Sequence, residues 1–248
     1  MANKAVFRQM ISSPTRKPFS GVPFAEASTK CGLARSRLHR ELNLLRRLTD
    51  LFSKTNPPYA LNGSAALHLI FLGERTPSDI DLRCDDVEAT RKLFSNRFEQ
   101  VQRATTTVPL YSFKDENGVL IDITQNLFTR TRKHFIASPT ASNLFTNDSS
   151  RVVSYDFEVL FAEKLIALTR KRDFKDLYDA DSCLSHDADI ARVAITLKEI
   201  GKHDGINPSF LISPLYVLDG GLCGDVPVSY TTANEMLSRV QAFVRSIF

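Results

Sequence analysis

Two segments of the chain alternate acidic and apolar residues as half-buried strands do. The first of them, residues 78–84, reads Ser-Asp-Ile-Asp-Leu-Arg-Cys. Side chains two residues apart on a strand lie on the same face, so Asp79 and Asp81 project together while Ile80 and Leu82 face the opposite side. The sequence therefore predicts a sheet with one apolar face against a core and a second face that carries paired carboxylates.

A third acid has the same setting in residues 119–124, which read Val-Leu-Ile-Asp-Ile-Thr. Asp122 is flanked by Ile121 and Ile123, and it shares a face with the first two acids if the two strands are neighbours. Adjacent carboxylates repel each other unless a divalent cation neutralises them. Three such acids can hold one or two metal ions and activate an attacking hydroxyl. The alternative is a set of solvated acids on the wet face of a sheet.

Gly63 and Ser64 stand between a predicted strand over residues 59–63 and a predicted helix over residues 64–72. Backbone N–H groups, a hydroxyl and a helix N-terminus at such a junction suit a phosphate group. Mg²⁺ in proteins is usually held by a few carboxylates together with phosphate oxygens. The pair followed by the two aspartates therefore predicts a site for a metal-bound nucleotide, and the conjunction is more specific than either motif alone.

The composition is that of a folded protein. Of the 248 residues, 43% are hydrophobic and 24% are charged, which excludes a disordered chain, and the net charge of +4 permits a polyanionic partner without indicating one. No apolar run approaches the roughly 20 residues that span a bilayer, and the first residues lack the apolar core of a signal peptide. The four cysteines form no Cys-x-x-Cys pair, so we expect reduced thiols in a cytoplasmic protein and no zinc ribbon.

The hydrophobic pattern predicts a strand-rich first half and a helical second half. Residues 33–54 form an amphipathic helix with Leu38, Leu42, Leu45, Leu48 and Phe52 on its apolar stripe. Further predicted helices cover residues 87–95, 156–172, 174–184, 187–201 and 230–246, and further predicted strands cover residues 97–104, 107–113 and 118–124. Residues 125–150 are predicted to be irregular. The predicted domains are an N-terminal arm over residues 1–32, a first domain over 33–150 and a C-terminal domain over 151–248.

Lys164 lies within the apolar stripe of the predicted helix 156–172. A lysine that faces inward is costly unless an anion meets it, and a nucleotide triphosphate or the acid cluster would be that anion. The alternative is a lysine at the edge of the stripe whose ammonium reaches solvent. Asp176 and Asp179, three residues apart on the next predicted helix, share one face of it.

These residues resemble a known family. Gly63-Ser64, the spacer 65–78 and Asp79-x-Asp81 resemble the first motif of the nucleotidyltransferase superfamily of DNA polymerase β type. The longer string NGSAALHLIFLGERTPSDIDL is similar to the AbiEii/AbiGii toxin branch, which includes the MenT toxins, and Arg75 and Ser78 stand where that branch carries an arginine and a serine. Downstream, FAEKLIAL and RDFKDLYD resemble two helical segments of the same branch, so the similarity runs from about residue 59 to 184.

The resemblance implies an α+β protein with a nucleotidyltransferase-fold mixed β-sheet flanked by helices, followed by a mainly helical C-terminal domain. It also implies a metal-dependent nucleotidyltransferase that uses an NTP with Mg²⁺ or Mn²⁺ and releases pyrophosphate. The implied metal ligands are Asp79, Asp81 and Asp122, the implied catalytic residues are these three with Lys164 and Asp176, and the implied nucleotide-binding residues are Gly63, Ser64, Arg75, Ser78 and Lys164.

The branch further implies the toxin of a toxin–antitoxin pair, with the tRNA 3′ end as the RNA acceptor, a cognate antitoxin protein as partner and no membrane association. Two alternatives stay open. One is a small-molecule nucleotidyltransferase of the aminoglycoside-modifying kind, which an acidic acceptor cleft would favour. The other is a non-catalytic nucleotide-binding protein of the same fold, against which the intact Asp79, Asp81 and Asp122 argue.

Overall fold

The computed structural model describes residues 32–55, 59–72, 75–102, 110–125, 136–137, 153–170, 174–205, 207, 221–223, 226–228 and 230–248. The predicted N-terminal arm therefore lies outside the described residues, except for Gly32. The chain divides into two compact units, of which the first ends at Asp156 and the second begins at Phe157. Within the described residues, no helix combines the length and the apolar composition needed to cross a bilayer.

The first unit contains a sheet and the helices that flank it. Its helices are α1 (Gly32–Thr55), α2 (Gly63–Ala66), which continues as a π-helical segment (Leu67–Leu72), and α3 (Val87–Ser95). Its strands are β1 (Tyr59–Asn62), β2 (Asp79–Cys84), β3 (Glu99–Val101), β4 (Leu110–Lys114), β5 (Leu120–Gln125), β6 (Ile136–Ala137) and β7 (Val153–Ser154).

The seven strands form one mixed sheet in the order β3-β4-β5-β2-β1-β7-β6. β2 runs parallel to β5 and β1 runs parallel to β7, while the other neighbouring strands are antiparallel. The predicted class, an α+β protein with a mixed sheet flanked by helices, is confirmed. β2 and β5 are direct neighbours, which is the condition under which the three acids share a face.

One face of this sheet is apolar and covered by helices. Its fully buried strand residues are Leu61, Ile80, Leu82, Phe113, Ile121 and Ile123. Phe52 of α1 stacks on Tyr59 of β1 with ring centroids 3.9 Å apart, and Phe94 of α3 meets the edge of Phe113 at 5.5 Å. α1 and α3 both pack on this face. The alternate residues of the same strands point to the opposite face of the sheet.

The turn between β4 and β5 is fixed from both ends, and it sets the register of β5. The Asp115 carboxylate accepts hydrogen bonds from the backbone N–H groups of Asn117 (2.9 Å) and Val119 (2.8 Å), and Gly118 adopts a φ of +79° that an L side chain rarely tolerates. Arg47 of α1 forms an ion pair with Glu116 at 2.6 Å.

The second unit is mainly helical. Its helices are α4 (Phe157–Arg170), α5 (Phe174–Leu184), α6 (Ile190–Asp204) and α7 (Tyr230–Ile247). Phe161 of α4 stacks on Phe243 of α7 with centroids 5.1 Å apart, and the Arg239 guanidinium of α7 donates two hydrogen bonds to Asp181 of α5, at 2.7 and 2.8 Å. These contacts join α4 and α5 to α7.

Three details differ from the sequence-based expectation. The predicted irregular segment 125–150 contains the end of β5 and the short strand β6, and its other residues lie outside the described part. The region predicted to be helical also contains an antiparallel pair of strands, β8 (Gly221–Cys223) and β9 (Val226–Val228). The predicted helix 64–72 is α-helical only as far as Ala66 and π-helical from Leu67. Strands of two or three residues are too short to show a period, and an apolar run does not distinguish an α-helix from a π-helix.

Candidate active site

A row of four polar residues crosses the opposite face of the sheet. Asp81 of β2 is paired with Asp122 of the parallel strand β5 and with Asn62 of the antiparallel strand β1, and Asp122 is paired in turn with Ser112 of β4. Paired residues of neighbouring strands project to the same side. The order across the sheet is therefore Ser112, Asp122, Asp81 and Asn62.

Asp79 lies two residues before Asp81 on the same strand and completes a group of three carboxylates. One oxygen from each of Asp79, Asp81 and Asp122 lies within 4.8 Å of the other two. Asp122 is buried, while Asp79 and Asp81 are half-buried. A cation with metal–oxygen distances of about 2.1 Å spans roughly 4.2 Å between opposite ligands, so small side-chain shifts would close the three oxygens around one ion.

The donor set fits a hard divalent cation. All three groups are carboxylates, which Mg²⁺ and Mn²⁺ prefer, and two of them are oriented by hydroxyl groups. The Ser112 hydroxyl donates to Asp122 Oδ1 at 2.6 Å, and the Ser78 hydroxyl donates to Asp79 Oδ1 at 2.9 Å. A hydroxyl that holds one oxygen leaves the other oxygen of the carboxylate available for a cation.

Gly63 is required where it stands because the Asp81 carboxylate packs against it. Its φ is +63°, in the left-handed region, and a Cβ built on it would overlap Asp81 Oδ2. Any L side chain at this position would therefore strain the backbone and displace the carboxylate. The predicted strand-to-helix junction thus lies directly beside the acids, as the motif spacing implied.

Ser64 and Arg75, eleven residues apart in the chain, meet in the structure. Arg75 is 7% exposed, and its guanidinium donates a hydrogen bond from Nη2 to Ser64 Oγ at 2.7 Å. A guanidinium has only donors, so the serine hydroxyl is the acceptor. Two of the predicted nucleotide-binding residues therefore form one unit at the start of α2.

The loop that leads into β2 is held by α1. The Arg37 guanidinium donates to the backbone carbonyl of Ser78 at 3.3 Å and also bonds Glu41 Oε1 at 3.3 Å, and Glu41 is 1% exposed. Ser78, predicted as a nucleotide-binding residue, is therefore fixed through its carbonyl and bonds Asp79 through its hydroxyl. In this structure the Ser78 hydroxyl contacts Asp79, a candidate metal ligand.

A second charged group, centred on Lys164, lies in the helical unit. Lys164 Nζ contacts Asp176 Oδ1 at 2.9 Å and Asp179 Oδ2 at 2.8 Å. The side chain of Asp179 is fully buried, whereas those of Lys164 and Asp176 are 11% and 13% exposed. Burial alone would lower the pKa of Lys164, but the carboxylates of Asp179 and Asp176 outweigh burial and hold that pKa above its ordinary value. Lys164 is therefore a buried, charged lysine and not one that reaches solvent from the edge of the stripe.

Four residues of these groups were not among the predicted site residues. Ser112 and Asn62 belong to the row only through the register of neighbouring strands, and that register cannot be read from the sequence. The only sequence signal for Arg37 is its position off the apolar stripe of α1, and most surface arginines occupy such a position. Asp179 offered a signal, since its spacing from Asp176 puts both on one helix face.

The comparisons with known proteins agree with this geometry. The profile of the family described as nucleotidyl transferase AbiEii toxin, Type IV TA system, matches residues 44–241. Among solved structures, the nucleotidyltransferase toxin MenT4 from Mycobacterium tuberculosis superposes with a TM-score of 0.56 at 17% identity, over 91% of this chain and 90% of MenT4. A search of curated protein sequences gives no match.

Two further structures are similar at lower TM-scores. JHP933 from Helicobacter pylori has a TM-score of 0.48 and 16% identity, over 88% of this chain and 92% of its own. ANT(2″)-Ia, solved in complex with adenylyl-2″-tobramycin, has a TM-score of 0.47 and 11% identity, over 66% of this chain and 99% of its own.

The family profile, together with a sheet that carries three carboxylates on one face and a Gly-Ser junction beside them, identifies the class of protein as a nucleotidyltransferase. Because the family profile matches more than half of the chain, the chain belongs to the AbiEii nucleotidyltransferase toxin family. The predicted family and the predicted enzyme class are confirmed.

Proposed function

We propose that this chain transfers a nucleoside monophosphate from an NTP to the 3′ end of tRNA, in a reaction that depends on Mg²⁺ or Mn²⁺. The observation that carries the proposal is the group formed by Asp79, Asp81 and Asp122, whose oxygens lie within 4.8 Å of one another. Three carboxylates this close are hard to reconcile with a purely structural role, because their mutual repulsion opposes folding unless a cation compensates it. Nucleotide chemistry supplies such a cation together with the triphosphate.

The three acids divide the work of this site. Asp79 and Asp81 hold the cation, and Asp122 completes its ligands or accepts the proton of the attacking hydroxyl. A bound divalent cation neutralises phosphate charge and aligns the attacking and leaving oxygens. The Ser112 hydroxyl keeps the Asp122 carboxylate turned toward its neighbours, at 2.6 Å. The acceptor oxygen bonds to the α-phosphorus, the bond to the bridging oxygen breaks, and pyrophosphate leaves with the electron pair.

The Gly-Ser junction binds the triphosphate in this proposal. Gly63 brings the backbone close to the acids, and Ser64 offers its hydroxyl and the N-terminus of α2 to phosphate oxygens. Arg75, bonded to Ser64 at 2.7 Å, fixes the rotamer of the serine and adds a positive charge beneath it. Ser78 acts one step away, through its hydrogen bond to Asp79.

Lys164 neutralises triphosphate charge, and its two partners have different parts. The group of one lysine and two aspartates carries a formal charge of −1, and exchange of one carboxylate contact for a phosphate contact would let the ammonium meet the triphosphate. Asp179 is fully buried and anchors the lysine, whereas Asp176 retains some exposure and is the partner that phosphate can replace. Asp176 is thus a positioning residue for Lys164.

We further propose that a cognate antitoxin is the protein partner of the chain and that an uncontrolled reaction is toxic. The support is the family itself, which is described as the toxin of a Type IV TA system. Expression of the chain alone would then arrest growth, and expression of the Asp81→Asn variant at the same level would not.

The tRNA 3′ end is tested by blocking it. The protein is incubated with Mg²⁺, total tRNA and each NTP labelled at the α-phosphate, and in parallel with tRNA whose terminal ribose has been cleaved by periodate. We expect label on intact tRNA and none on oxidised tRNA, because oxidation destroys the 3′ hydroxyl. Equal labelling of both would place the acceptor elsewhere on the RNA.

A mixture of aminoglycosides in place of tRNA tests the small-molecule alternative. If the label appears on the aminoglycosides and on no RNA, the acceptor is a small molecule and not RNA. If every NTP binds and no label reaches any acceptor with either metal, the chain is the non-catalytic binding protein.

A further inference from the structure

Asn62 carries a buried polar atom that nothing in the described part of the chain satisfies. The residue is 4% exposed, and its Oδ1 is buried without a hydrogen-bond partner. Buried carboxamides are almost always bonded, so each exception calls for a physical explanation.

The Asn62 side chain does not cap α2, although capping is the local role that an asparagine at this position usually has. Asn62 is the N-cap residue of α2, with φ −133° and ψ −178°, and asparagine is among the best N-caps because its side-chain oxygen accepts from a backbone N–H. The Asn62 side chain makes no such capping bond. Its oxygen is therefore not committed to the helix that starts next to it.

The register places this side chain at the carboxylate group. Asn62 is paired with Asp81, and side chains of an antiparallel pair lie side by side on one face, with Cβ atoms about 5 Å apart. The Asp81 carboxylate also packs on Gly63, the next residue after Asn62. Asn62 thus ends the row that begins with Ser112 and passes through Asp122 and Asp81.

The surroundings of the Asn62 oxygen indicate which kind of ligand it would bind. The oxygen is shielded by protein on all sides, so only a small species such as an ion or a water molecule can reach it after a slight shift. Its side chain is paired with Asp81, one of three neighbouring carboxylates whose charge repels phosphate oxygens and attracts a cation. Carboxamide oxygens are ordinary neutral ligands of hard cations, alongside carboxylates and water.

We propose that the Asn62 carboxamide is a fourth oxygen donor of the divalent-cation site at Asp79, Asp81 and Asp122, binding the cation directly or through one of its bound waters. The inference deepens the proposed function and rests on its cation dependence. It assigns a role to a residue outside the acidic motif, and it gives the buried Asn62 oxygen a ligand.

The test measures Mn²⁺ binding without nucleotide or acceptor, by the loss of the electron paramagnetic signal of the free ion, together with the thermal midpoint of the metal-free protein. Asn62→Leu replaces the carboxamide by an apolar side chain of similar size. We expect it to weaken Mn²⁺ binding by roughly 10- to 100-fold, the range for supporting groups around a metal, while the metal-free midpoint stays the same or rises. Asn62→Asp keeps an oxygen donor, so it should retain Mn²⁺ binding.

Ser154→Ala is the matched control. Ser154 is 1% exposed, lies on the strand β7 next to β1, and bonds the carbonyl of Tyr155 at 3.1 Å. Removing a satisfied hydroxyl should lower the thermal midpoint and leave Mn²⁺ binding unchanged, which is the opposite pattern to that of Asn62→Leu.

The outcomes separate the two proposals. If Asp81→Asn weakens Mn²⁺ binding and Asn62→Leu stays within about twofold of the wild type, the cation site stands and the role of Asn62 is overturned. If wild type and Asp81→Asn bind Mn²⁺ equally, the cation site itself fails. If Asn62→Leu does not fold, Asn62→Asp alone tests the role of Asn62. A folded Asn62→Asp variant that has lost Mn²⁺ binding would contradict the inference.

Discussion

Replacing Asp81 by Asn is expected to lower the rate of nucleotidyl transfer by roughly a thousandfold or more. Metal-ion catalysis supplies several kcal/mol of transition-state stabilisation, and each 1.36 kcal/mol is a factor of about ten in rate. Asp81 is the central acid of the row, since it is paired with Asp122 on one side and Asn62 on the other. The amide keeps the size of the side chain and removes its charge. Single-turnover transfer of an α-phosphate label to RNA measures the effect.

Asp85→Asn is the control for this change. Asp85 is exposed and directly follows β2, so its replacement alters the net charge equally and leaves the three acids in place. We expect Asp85→Asn to keep the wild-type rate. An Asp81→Asn variant that is folded and retains more than about a tenth of the wild-type rate would remove Asp81 from the metal site.

Replacing Lys164 by Met is expected to lower the free energy of unfolding of the helical unit by about 3–5 kcal/mol, the usual cost of removing one partner from a buried ion pair. The variant leaves Asp179, which is fully buried, without the ammonium that contacts it at 2.8 Å. Chemical denaturation followed by far-ultraviolet circular dichroism measures the loss. A variant as stable as the wild type would show that water or another group satisfies the two carboxylates.

The double variant Lys164→Met with Asp179→Leu separates stability from activity. Apolar residues of similar volume often replace a buried ion pair with little loss, so most of the stability should return. Transfer activity should not return, because the ammonium that we propose meets the triphosphate is still absent. Recovery of activity together with stability would make the whole group structural and remove Lys164 from the catalytic residues.

The pH dependence of the stability difference follows from the raised pKa of Lys164. A group whose folded pKa is raised contributes stability below its unfolded pKa, which is about 10.4 for lysine, and loses that contribution as pH rises through the folded value. Over the pH range in which the Asp176 and Asp179 carboxylates stay ionised in both proteins, the gap between wild type and Lys164→Met should therefore stay constant. At higher pH it should narrow in strongly alkaline solution, where Lys164 loses its proton.

The parts of the site that lie within one element could be predicted from the sequence. Asp79 and Asp81 share a face because strands alternate, and Lys164 faces inward because its neighbours on α4 are apolar. The helices over residues 87–95 and 174–184 were predicted to the residue for the same reason, since their apolar positions repeat with a clear period.

The parts that depend on pairing between elements could not be predicted. The contact of Asp81 with Asp122 required β2 and β5 to be neighbours, although β3 and β4 lie between them in the chain. Ser112 and Asn62 enter the row through strand register alone. The spacing of Asp176 and Asp179 showed that both share a helix face, but only the packing of α5 shows that Asp179 is the buried one.

The position of the label in the NTP tests the central claim most directly, because it shows which bond the site at Asp79, Asp81 and Asp122 breaks. The protein is incubated with Mg²⁺, tRNA and the same NTP labelled either at the α-phosphate or at the γ-phosphate, with Asp81→Asn in parallel. We expect the α-label on RNA, the γ-label only in pyrophosphate, and neither on RNA with Asp81→Asn. The γ-label on RNA, or an α-label that Asp81→Asn transfers as fast as the wild type, would contradict the account.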